Sequence, residues 1–414
     1  MLEHMTELAG SRAPLLVQGQ NREDVRQHNL SVVLRMLHER GTLSRSEITS
    51  STGLNRSTIS DLVAELEELK LAFESDPEAA TGVGRPSHMV SAADNVVAFS
   101  VHFEFDATTV GVVTLSGKVL SRSRLLSRGA PKPDASVKIA AKEIARLRSE
   151  MRSDIRIAGI GIAVPGQVRV SDGVVRLAPH LGWVEVPLGP MMSQATGLPS
   201  FLDNDASLGC MAERNFGSAR GYSDVVFLYA GSGGIGGGAI IDGHQLRGAA
   251  GYAGELGHVR ISASTTKDYS GLSGTLESLV RRDDLLDIFK FDSAADEELD
   301  AEIRSTKAPK AIKLLNEQID ALALGLSNFV NIFNPQVVVL AGFLTSLFSF
   351  NSDRLISKMK DGALSAAHEP VIVRNGQLGA DLLMFGAAEL PFEDLIKRPS
   401  SSRLFSPKVK TAKP

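Results

Sequence analysis

From Asn95 onward, short apolar runs alternate with longer amphipathic stretches, and this alternation limits the possible folds more than any other feature of the chain. Apolar runs rich in Val, Ile and Gly are typical of buried strands, and the stretches 134–151 and 310–333 have helical spacing. Strands that alternate with helices favour an α/β architecture. The strand-like runs are VVAFSVHF, TVGVVTL, IRIAGIGIAV, VVFLYAG, GGGAIID and VVVLAG.

The residues before Asn95 have a different, helical pattern. A first helix over 30–41 is indicated by apolar residues at helical spacing, and SRSE at 44–47 has the form of a capping box that begins a second, short helix. Gly53 permits a tight turn, and Asn55 can cap a third helix. The third helix carries a buried stripe of Ile59, Leu62, Val63, Leu66 and Leu69.

Three short helices with a glycine turn before the third predict a winged helix-turn-helix DNA-binding domain over residues 21–91. The segments LAFES and HMVSA can pair as strands, as a wing, around a loop that ends in Gly84, Arg85, Pro86 and Ser87. Polar and basic side chains suit phosphates and base edges. Those expected to contact DNA are Arg45, Asn55, Arg56, Ser57, Thr58, Ser60 and Arg85.

The charge of this segment leaves an alternative open. Residues 22–88 contain 8 Lys or Arg and 11 Asp or Glu, so a small dimerisation or protein-docking module also fits. Many of the acids, however, lie at the end of the third helix and in the first half of the wing, away from Arg45, Arg56 and Arg85. A dimer could supply the remaining affinity for DNA.

Cysteine content and hydropathy predict the compartment. Cys210 is the single cysteine, so the chain forms no internal disulfide and has no thiolate cluster for a metal. The apolar runs are too short to span a membrane, the N-terminus has no secretory signal pattern, and we expect a cytoplasmic protein. Residues 1–20 are expected to be flexible and residues 398–414 to be a disordered tail.

Several motifs follow one another in a family-specific order. They are IAGIGIAVPG, APHLGW, NDAS, GSGGIGGGAIIDGHQLRGAAGYAGELGH, GLSGTLE and NPQVVVLAG. Over about residues 22–390 the chain resembles the ROK family of repressors, uncharacterised frames and sugar kinases. The resemblance implies an actin-like ATPase fold over residues 92–397, with two α/β lobes and a sugar in the cleft between them. Members with an N-terminal winged helix resemble sugar-responsive transcription factors, whereas members without it are generally kinases.

The kinase phosphate motif of the family is altered here. Family kinases carry an Asp-x-Gly-Gly-Thr turn whose glycines let backbone amides approach the phosphates of ATP. Both glycines are replaced, one of them by an anion, so we expect no kinase activity and no cofactor. A later segment, Gly233–Gly238, is retained either as a tight strand–turn–strand or as a residual phosphate contact. The residues at the altered turn are His102, Phe103, Glu104, Phe105 and Asp106.

The sugar side of the family pattern is retained. The resemblance assigns Asp205 to the position of the kinase base, which we expect to be inactive without bound phosphate. Carboxylates and an imidazole suit vicinal hydroxyls, although each residue singly could instead be a structural polar group. His180 stands where the family usually has Asn, so the identity of the sugar stays open. The residues expected to bind sugar are Asn204, Asp205, Glu255, His258 and Glu277.

Many family members also hold a structural zinc with the histidine of GELGH and three cysteines. Counted from His258, the cysteine positions carry Asp268, Ser270 and Thr275, which are poor zinc ligands beside thiolates. We therefore expect no metal, a His258 that is free for sugar or a local hydrogen bond, and a loop ordered by packing alone.

The sequence thus predicts a DNA-binding transcriptional regulator, a repressor, that binds operator DNA as a homodimer or a dimer of dimers. A sugar or sugar phosphate would control it without being phosphorylated. Two alternatives stay open: a sugar kinase with a fused DNA-binding module, and a regulator with a vestigial sugar site that responds to a partner protein.

Overall fold

A computed structural model describes residues 21–75, 88–127, 129, 131–231, 233–291 and 296–407. Arg85 in the predicted wing loop, residues 1–20 and residues 408–414 lie outside the described residues. No helix in the described ranges is long and apolar enough to cross a lipid bilayer.

The N-terminal unit is a winged helix-turn-helix, as predicted. Ser44 and Glu47 form the expected capping box, and Gly53 ends the second helix with a left-handed φ of 69°. The first helix begins earlier than its apolar stripe indicated, because its first two turns are polar and are started by a capping box of Asn21 and Asp24. The elements are α1 (Arg22–Arg40), β1 (Leu43–Ser44), α2 (Arg45–Thr52), α3 (Arg56–Glu68), β2 (Ala72–Ser75) and β3 (Met89–Ala92).

The first lobe is built on a five-stranded sheet with a small second sheet at one side. Its elements are β4 (Val96–Phe103), β5 (Ala107–Thr114), β6 (Val119–Leu126), α4 (Pro133–Glu150), β7 (Arg156–Val164), β8 (Gln167–Arg169), β9 (Val174–Ala178), β10 (Trp183–Val186), α5 (Leu188–Thr196) and β11 (Ser200–Asn204). The main sheet has the order β11-β7-β4-β5-β6, and the small sheet has the order β10-β9-β8. Strands β4, β7 and β11 are parallel, whereas β5 and β6 run antiparallel.

The second lobe repeats this arrangement after the connecting helix α6 (Asp205–Phe216). Its elements are β12 (Val225–Gly231), β13 (Gly234–Ile241), β14 (His244–Gln245), α7 (Leu276–Leu279), α8 (Arg282–Phe289), α9 (Asp296–Ser305), α10 (Pro309–Phe333), β15 (Val337–Gly342), α11 (Leu344–Phe350), α12 (Ser352–Asp361), α13 (Ser365–His368) and β16 (Ile372–Asn375). The sheet has the order β14-β13-β12-β15-β16, and from β16 to β14 it has the same succession of two parallel and two antiparallel pairs as the first lobe. The two α/β lobes expected from the sequence are therefore present.

Two helices join the lobes. Helix α6 packs against β12 and β13 of the second lobe and against α14 (Leu382–Lys397), which lies on β4 and β7 of the first lobe. The close approach of α6 to β13 depends on glycine, because a Cβ at Gly238 would lie 2.8 Å from the Cβ of Cys210. The cleft between the lobes is thus bounded by a rigid helix that contacts both.

The winged helix is not an independently packed unit. One buried cluster combines Leu30 and Leu34 of α1 with Leu115 of the first lobe and with Phe392 and Leu395 of α14. Only three residues, 93–95, separate β3 from β4. The boundary expected near residue 91 divides the winged helix from the lobes along the sequence, but the buried core is continuous across it.

The expected disorder after Arg398 is wrong for residues 398–407. The backbone N–H of Phe405 donates to the carbonyl of Ile157 at 2.8 Å, and the reverse bond is also 2.8 Å. Leu404 and Phe405 pack against two of the buried clusters. This segment is polar overall, but it contains one apolar pair, Leu404 and Phe405, that packs against the first lobe.

Candidate functional site

A cavity of about 350 Å³ lies between the lobes, and it brings together all five residues expected to bind sugar. Its polar groups come from the start of α6, from a 3₁₀ turn after β14 and from α7. The volume lies at the small end of the range for small-molecule sites. These five residues are Asn204, Asp205, Glu255, His258 and Glu277.

Asp205 is the first residue of α6, and its Oδ1 accepts a hydrogen bond from the N–H of Ala206 at 2.8 Å. Burial raises the pKa of Asp205 to about 7, and the negative charge of Glu255 adds to this effect. Both protonation states are therefore populated near neutral pH.

Asn204 caps α6 and has a structural role. Its Oδ1 accepts from the N–H of Ser207 at 3.0 Å, and its Nδ2 donates to the carbonyl of Gly166 at 3.1 Å. The amide thereby fixes the loop after β7 as one wall of the cavity. The preceding residue, Asp203, accepts from Arg247 at 2.7 Å, an ion pair that the sequence analysis did not identify.

Glu277 is buried and is held by backbone donors. Its Oε2 accepts from the N–H of Ile235 at 2.7 Å, and its Oε1 accepts from the N–H of Tyr269 at 3.2 Å. Burial raises the pKa of Glu277. A Cβ at Gly234, where φ is 103°, would lie 2.1 Å from Oε2 of Glu277. The retained glycine segment therefore lies mostly in β13, and Gly234 at the start of that strand leaves room for this carboxylate.

His258 connects the cavity to the loop behind it. Its Nδ1 lies 2.9 Å from Oδ2 of Asp268, and its Nε2 lies 4.0 Å from Oε2 of Glu255. Burial lowers the pKa of His258, but the hydrogen bond to Asp268 and the surrounding carboxylates outweigh burial and raise it. The expectation that packing alone orders this loop is wrong, since hydrogen bonds to Asp268 hold it.

Two aromatic residues also line the cavity. The rings of His180 and Tyr269 meet edge to face with centroids 4.6 Å apart, and the hydroxyl of Tyr269 donates to Asp283 at 2.6 Å. Nε2 of His180 is buried and has no hydrogen-bond partner within the described ranges, which makes it a candidate ligand contact. His180 departed from the family motif and so was detectable, whereas Tyr269 lies in a loop without a motif.

The altered phosphate turn is a closed hairpin between β4 and β5. Glu104 accepts from the hydroxyl of Thr109 at 3.1 Å and from Nε of Arg124 at 3.3 Å, and Arg124 also donates to Asp106 at 3.0 Å. Phe105 is exposed at the tip. The two acidic side chains of the altered turn thus both pair with Arg124 beside the cleft.

The cavity is rich in carboxylates. Among the described residues that line it there is no Lys or Arg, and three histidines are the remaining groups there that could carry positive charge. Of these, burial lowers the pKa of His102, which favours its neutral form. The acidic lining residues are Glu104, Asp205, Glu255, Glu277 and Asp283.

The residues expected to contact DNA lie around the start of α3 but differ in availability. Asn55 caps α3, accepting from the N–H of Thr58 at 2.8 Å and from the hydroxyl of Ser57 at 2.7 Å. Arg45 donates to Ser60 at 3.1 Å and to Glu74 of β2 at 2.7 Å, so both Arg45 and Ser60 already have partners.

Arg56 differs from Arg45 in this respect. It is exposed at the first position of α3, where the recognition helix begins. Its guanidinium is therefore an available cation at this end of the helix.

A buried polar network connects the winged helix to both lobe-joining helices. Nδ1 of His38 in α1 lies 2.5 Å from the carbonyl oxygen of Leu115, and its Nε2 lies 2.8 Å from Oε1 of Glu389 in α14. Oε2 of Glu389 accepts from Asn215, near the end of α6, at 2.7 Å. Helix α6 therefore begins at the cavity and ends beside α1.

Known proteins are similar to this chain in sequence. The ROK family model matches residues 100–393. Over 398 residues the chain is 29% identical to a putative xylose repressor of Caldicellulosiruptor sp. (strain Rt8B.4), covering 91% of this chain and 98% of that protein. It is also 29% identical over 299 residues to a glucokinase of Thermotoga maritima, covering 66% of this chain and 92% of that enzyme.

A solved structure shares the fold over nearly the whole chain. A ROK family transcriptional regulator, a homolog of the E. coli MLC protein, aligns with a TM-score of 0.74 and 23% identity, covering 90% of this chain and 97% of that one. The family model matches well over half of the residues, and both lobes have the expected topology. The chain belongs to the ROK family.

Proposed function

We propose that the protein is a transcriptional repressor that binds operator DNA through α3 and responds to a neutral sugar bound between the lobes. One observation supports this proposal most strongly. Five polar residues converge on one cavity, whereas the neighbouring phosphate turn is closed. The relative matched over 98% of its length is a putative xylose repressor, which supports a sugar effector.

The charge of the cavity favours a neutral sugar over a sugar phosphate. Carboxylates of Asp205, Glu255 and Glu277 can accept hydrogen bonds from hydroxyls, whereas a phosphate would add negative charge to a wall whose described residues include no Lys or Arg. Anion sites in proteins usually offer Arg, Lys or clustered backbone N–H groups.

The closed hairpin argues against phosphoryl transfer. In-line transfer depends on positioning and on neutralising the transferred phosphoryl group. Here the carboxylate of Glu104, paired with Arg124, occupies the turn that holds phosphate in family kinases. Asp205 can assist attack by a sugar hydroxyl only when a phosphoryl group is held in line, so it serves as a binding group.

Helix α6 provides a route from the sugar to the DNA-binding unit. Asp205 at its start faces the cavity, and Arg214 near its end forms a 2.9 Å ion pair with Glu39 of α1. A sugar that binds both lobes favours the closed cleft, and it alters DNA binding if closure moves α1. In a homodimer that movement changes the spacing of the two recognition helices.

The test begins with a genome-wide map of bound DNA to find the operator. Operator affinity is then measured at fixed salt with a panel of neutral sugars. Glu255→Ala should retain operator binding but lose the response to the active sugar, whereas exposed Glu369→Ala should respond like the wild type. A normal response in Glu255→Ala would show that the cavity is not the sensor and would favour a partner protein as the signal.

A coupled assay of ATP consumption addresses the kinase alternative. We expect no sugar-dependent turnover with any sugar that changes operator binding. Turnover that disappears in Asp205→Asn would instead assign kinase activity to the protein.

A further inference from the structure

We propose that Asp268 takes the place of the structural zinc of related proteins, ordering the loop 259–275 by hydrogen bonds and positioning His258 and Glu277 at the cavity. The effect on ligand binding rests on the proposed sugar site. The structural part of the inference stands without it.

The carboxylate of Asp268 is the centre of the loop, and its side chain is fully buried. Its Oδ1 accepts from the N–H and hydroxyl of Ser270 at 3.0 and 2.7 Å and from the N–H of Leu272 at 2.9 Å. Its Oδ2 accepts from the hydroxyl of Thr275 at 2.8 Å and lies 2.9 Å from Nδ1 of His258. Burial alone would raise the pKa of Asp268, but these bonds lower it to about 2.

The same residues do not fit a zinc ion. Ser270 and Thr275 stand at two of the cysteine positions, and both hydroxyls donate to Asp268. Structural zinc requires four closely held ligands, preferably thiolates and imidazoles. The single cysteine, Cys210, is buried in α6.

One other arrangement could hold a metal. Within the part of the chain that the structure describes, His258, Asp268 and Glu277 offer possible ligand atoms within 4.8 Å of one another. However, both oxygens of Asp268 and both oxygens of Glu277 already accept hydrogen bonds from the protein. A metal at these atoms would compete with the hydrogen bonds that form the loop.

Asp268 also fixes how His258 and Glu277 face the cavity. An anionic acceptor at Nδ1 of His258 requires the proton on that nitrogen, which leaves Nε2 directed toward Glu255. Thr275, held by Asp268, caps α7 by accepting from the N–H of Ser278 at 3.2 Å. Because Glu277 lies in that helix, one carboxylate positions two residues of the cavity.

Two measurements on the full-length wild-type protein need no ligand. Elemental analysis should find no stoichiometric zinc, and a strong chelator should leave the melting temperature unchanged. ¹⁵N NMR of histidine-labelled protein, with His258→Gln to assign the signal, should show the neutral ring protonated at Nδ1. One zinc per chain whose removal lowers the melting temperature, or a neutral ring protonated at Nε2, would overturn the inference.

Asp268→Asn keeps the size of the side chain but places an NH₂ group against donors. We expect a melting temperature lower by several degrees, faster hydrogen exchange in residues 259–275 and loss of the Nδ1-protonated form. Sugar affinity should fall about tenfold, as for loss of a charged hydrogen bond. Exposed Lys267→Ala serves as the control in the same loop and should resemble the wild type.

Wild-type exchange and an unchanged histidine signal in Asp268→Asn would refute the role of Asp268. If the wild type binds no sugar while the zinc and NMR results hold, the proposed sugar function fails and the zinc replacement stands.

Discussion

At the first turn of α6, Asp205 has properties that favour ligand binding over stability. A carboxyl group with a pKa of about 7 is partly ionised at neutral pH although burial opposes its charge. Perturbed groups of this kind concentrate at functional sites. The free energy lost by ionising Asp205 can be recovered when a sugar hydroxyl donates to it.

Asp205→Asn should therefore stabilise the ligand-free protein in a pH-dependent way. The folded pKa of about 7 exceeds the usual aspartate value of 3.8, so ionisation destabilises the folded state increasingly from about pH 4 to 7 and fully above 7. The free energy of unfolding of the variant should exceed that of the wild type by up to about 4 kcal/mol at pH 8, since one pKa unit equals about 1.4 kcal/mol, with no gain near pH 4.

Urea unfolding at both pH values measures this difference. The exposed Asp361→Asn serves as the control and should show no pH-dependent gain. A gain for Asp205→Asn that is the same at both pH values would refute the assigned pKa.

Arg56 carries a second prediction at the residue scale. Because it is exposed and begins the recognition helix, Arg56→Ala should weaken operator binding by about 1–3 kcal/mol, as for loss of a base contact. Binding to unrelated DNA should weaken less. Arg152→Ala, which removes an exposed arginine of the first lobe, should leave both affinities unchanged. Equal losses on operator and unrelated DNA would indicate a phosphate contact.

The sequence predicted individual residues well where a motif contained them. It named five of the polar residues that line the cavity, and their binding of sugar stays a prediction. It did not predict the partners of Arg45, because Glu74 lies on the neighbouring wing strand. It also missed the role of Asp268, since its hydrogen bonds depend on the conformation of a loop that has no periodic pattern.

Among secondary-structure elements, local chemical signals were the most reliable. The capping box of Ser44 and Glu47 and the left-handed turn at Gly53 both occur where the sequence predicted them. The prediction missed the first two turns of α1 because they have no apolar stripe. It missed the order of residues 398–407 because that order depends on contacts with β7 and α1. Such distant contacts are not visible in local sequence.

The contact between α1 and α14 yields a prediction about coupled helices. His38→Ala would leave Glu389 buried with Asn215 as its retained partner in this network, and should destabilise the protein by about 3–5 kcal/mol. The double variant with Glu389→Ala should be less unstable than the sum of the single variants. Denaturant unfolding of all four proteins measures the coupling, and strict additivity would refute a direct interaction.

The same pair sets a pH dependence. Burial opposes a charge on His38, but Glu389 outweighs burial and raises the pKa of His38 above its usual 6.5. The pair therefore stabilises the folded state fully below about pH 6.5, and this stabilisation is lost as pH rises through the folded pKa of His38. The difference in free energy of unfolding between wild type and His38→Ala should shrink as pH rises above about 6.5.

At the scale of the whole molecule, the acidic cavity between the lobes predicts ligand class. A neutral sugar should bind at least about tenfold more tightly than its phosphate ester, because none of the lining residues that the structure describes is a Lys or Arg that would offset the added charge. Thermal shift titrations measure both dissociation constants, since stabilisation follows RT ln(1 + [L]/Kd). Equal or tighter binding of the ester would contradict the charge argument.

The α/β class followed from the alternation of strand-like and helical stretches, whereas the two lobes followed from the resemblance to the ROK family. The relation between the DNA-binding unit and the lobes did not follow, since α1 packs on α14, the last helix of the fold. The local sequence pattern of neither helix predicts which element it packs against.

That packing also has a consequence for synthesis. The winged helix is translated well before α14, yet Phe392, Leu395 and Ile396 of α14 complete its core. Domains usually fold as units in the order of translation, whereas here the DNA-binding unit lacks part of its core until α14 has emerged from the ribosome. A chain released before α14 would carry the recognition helix without these three apolar contacts.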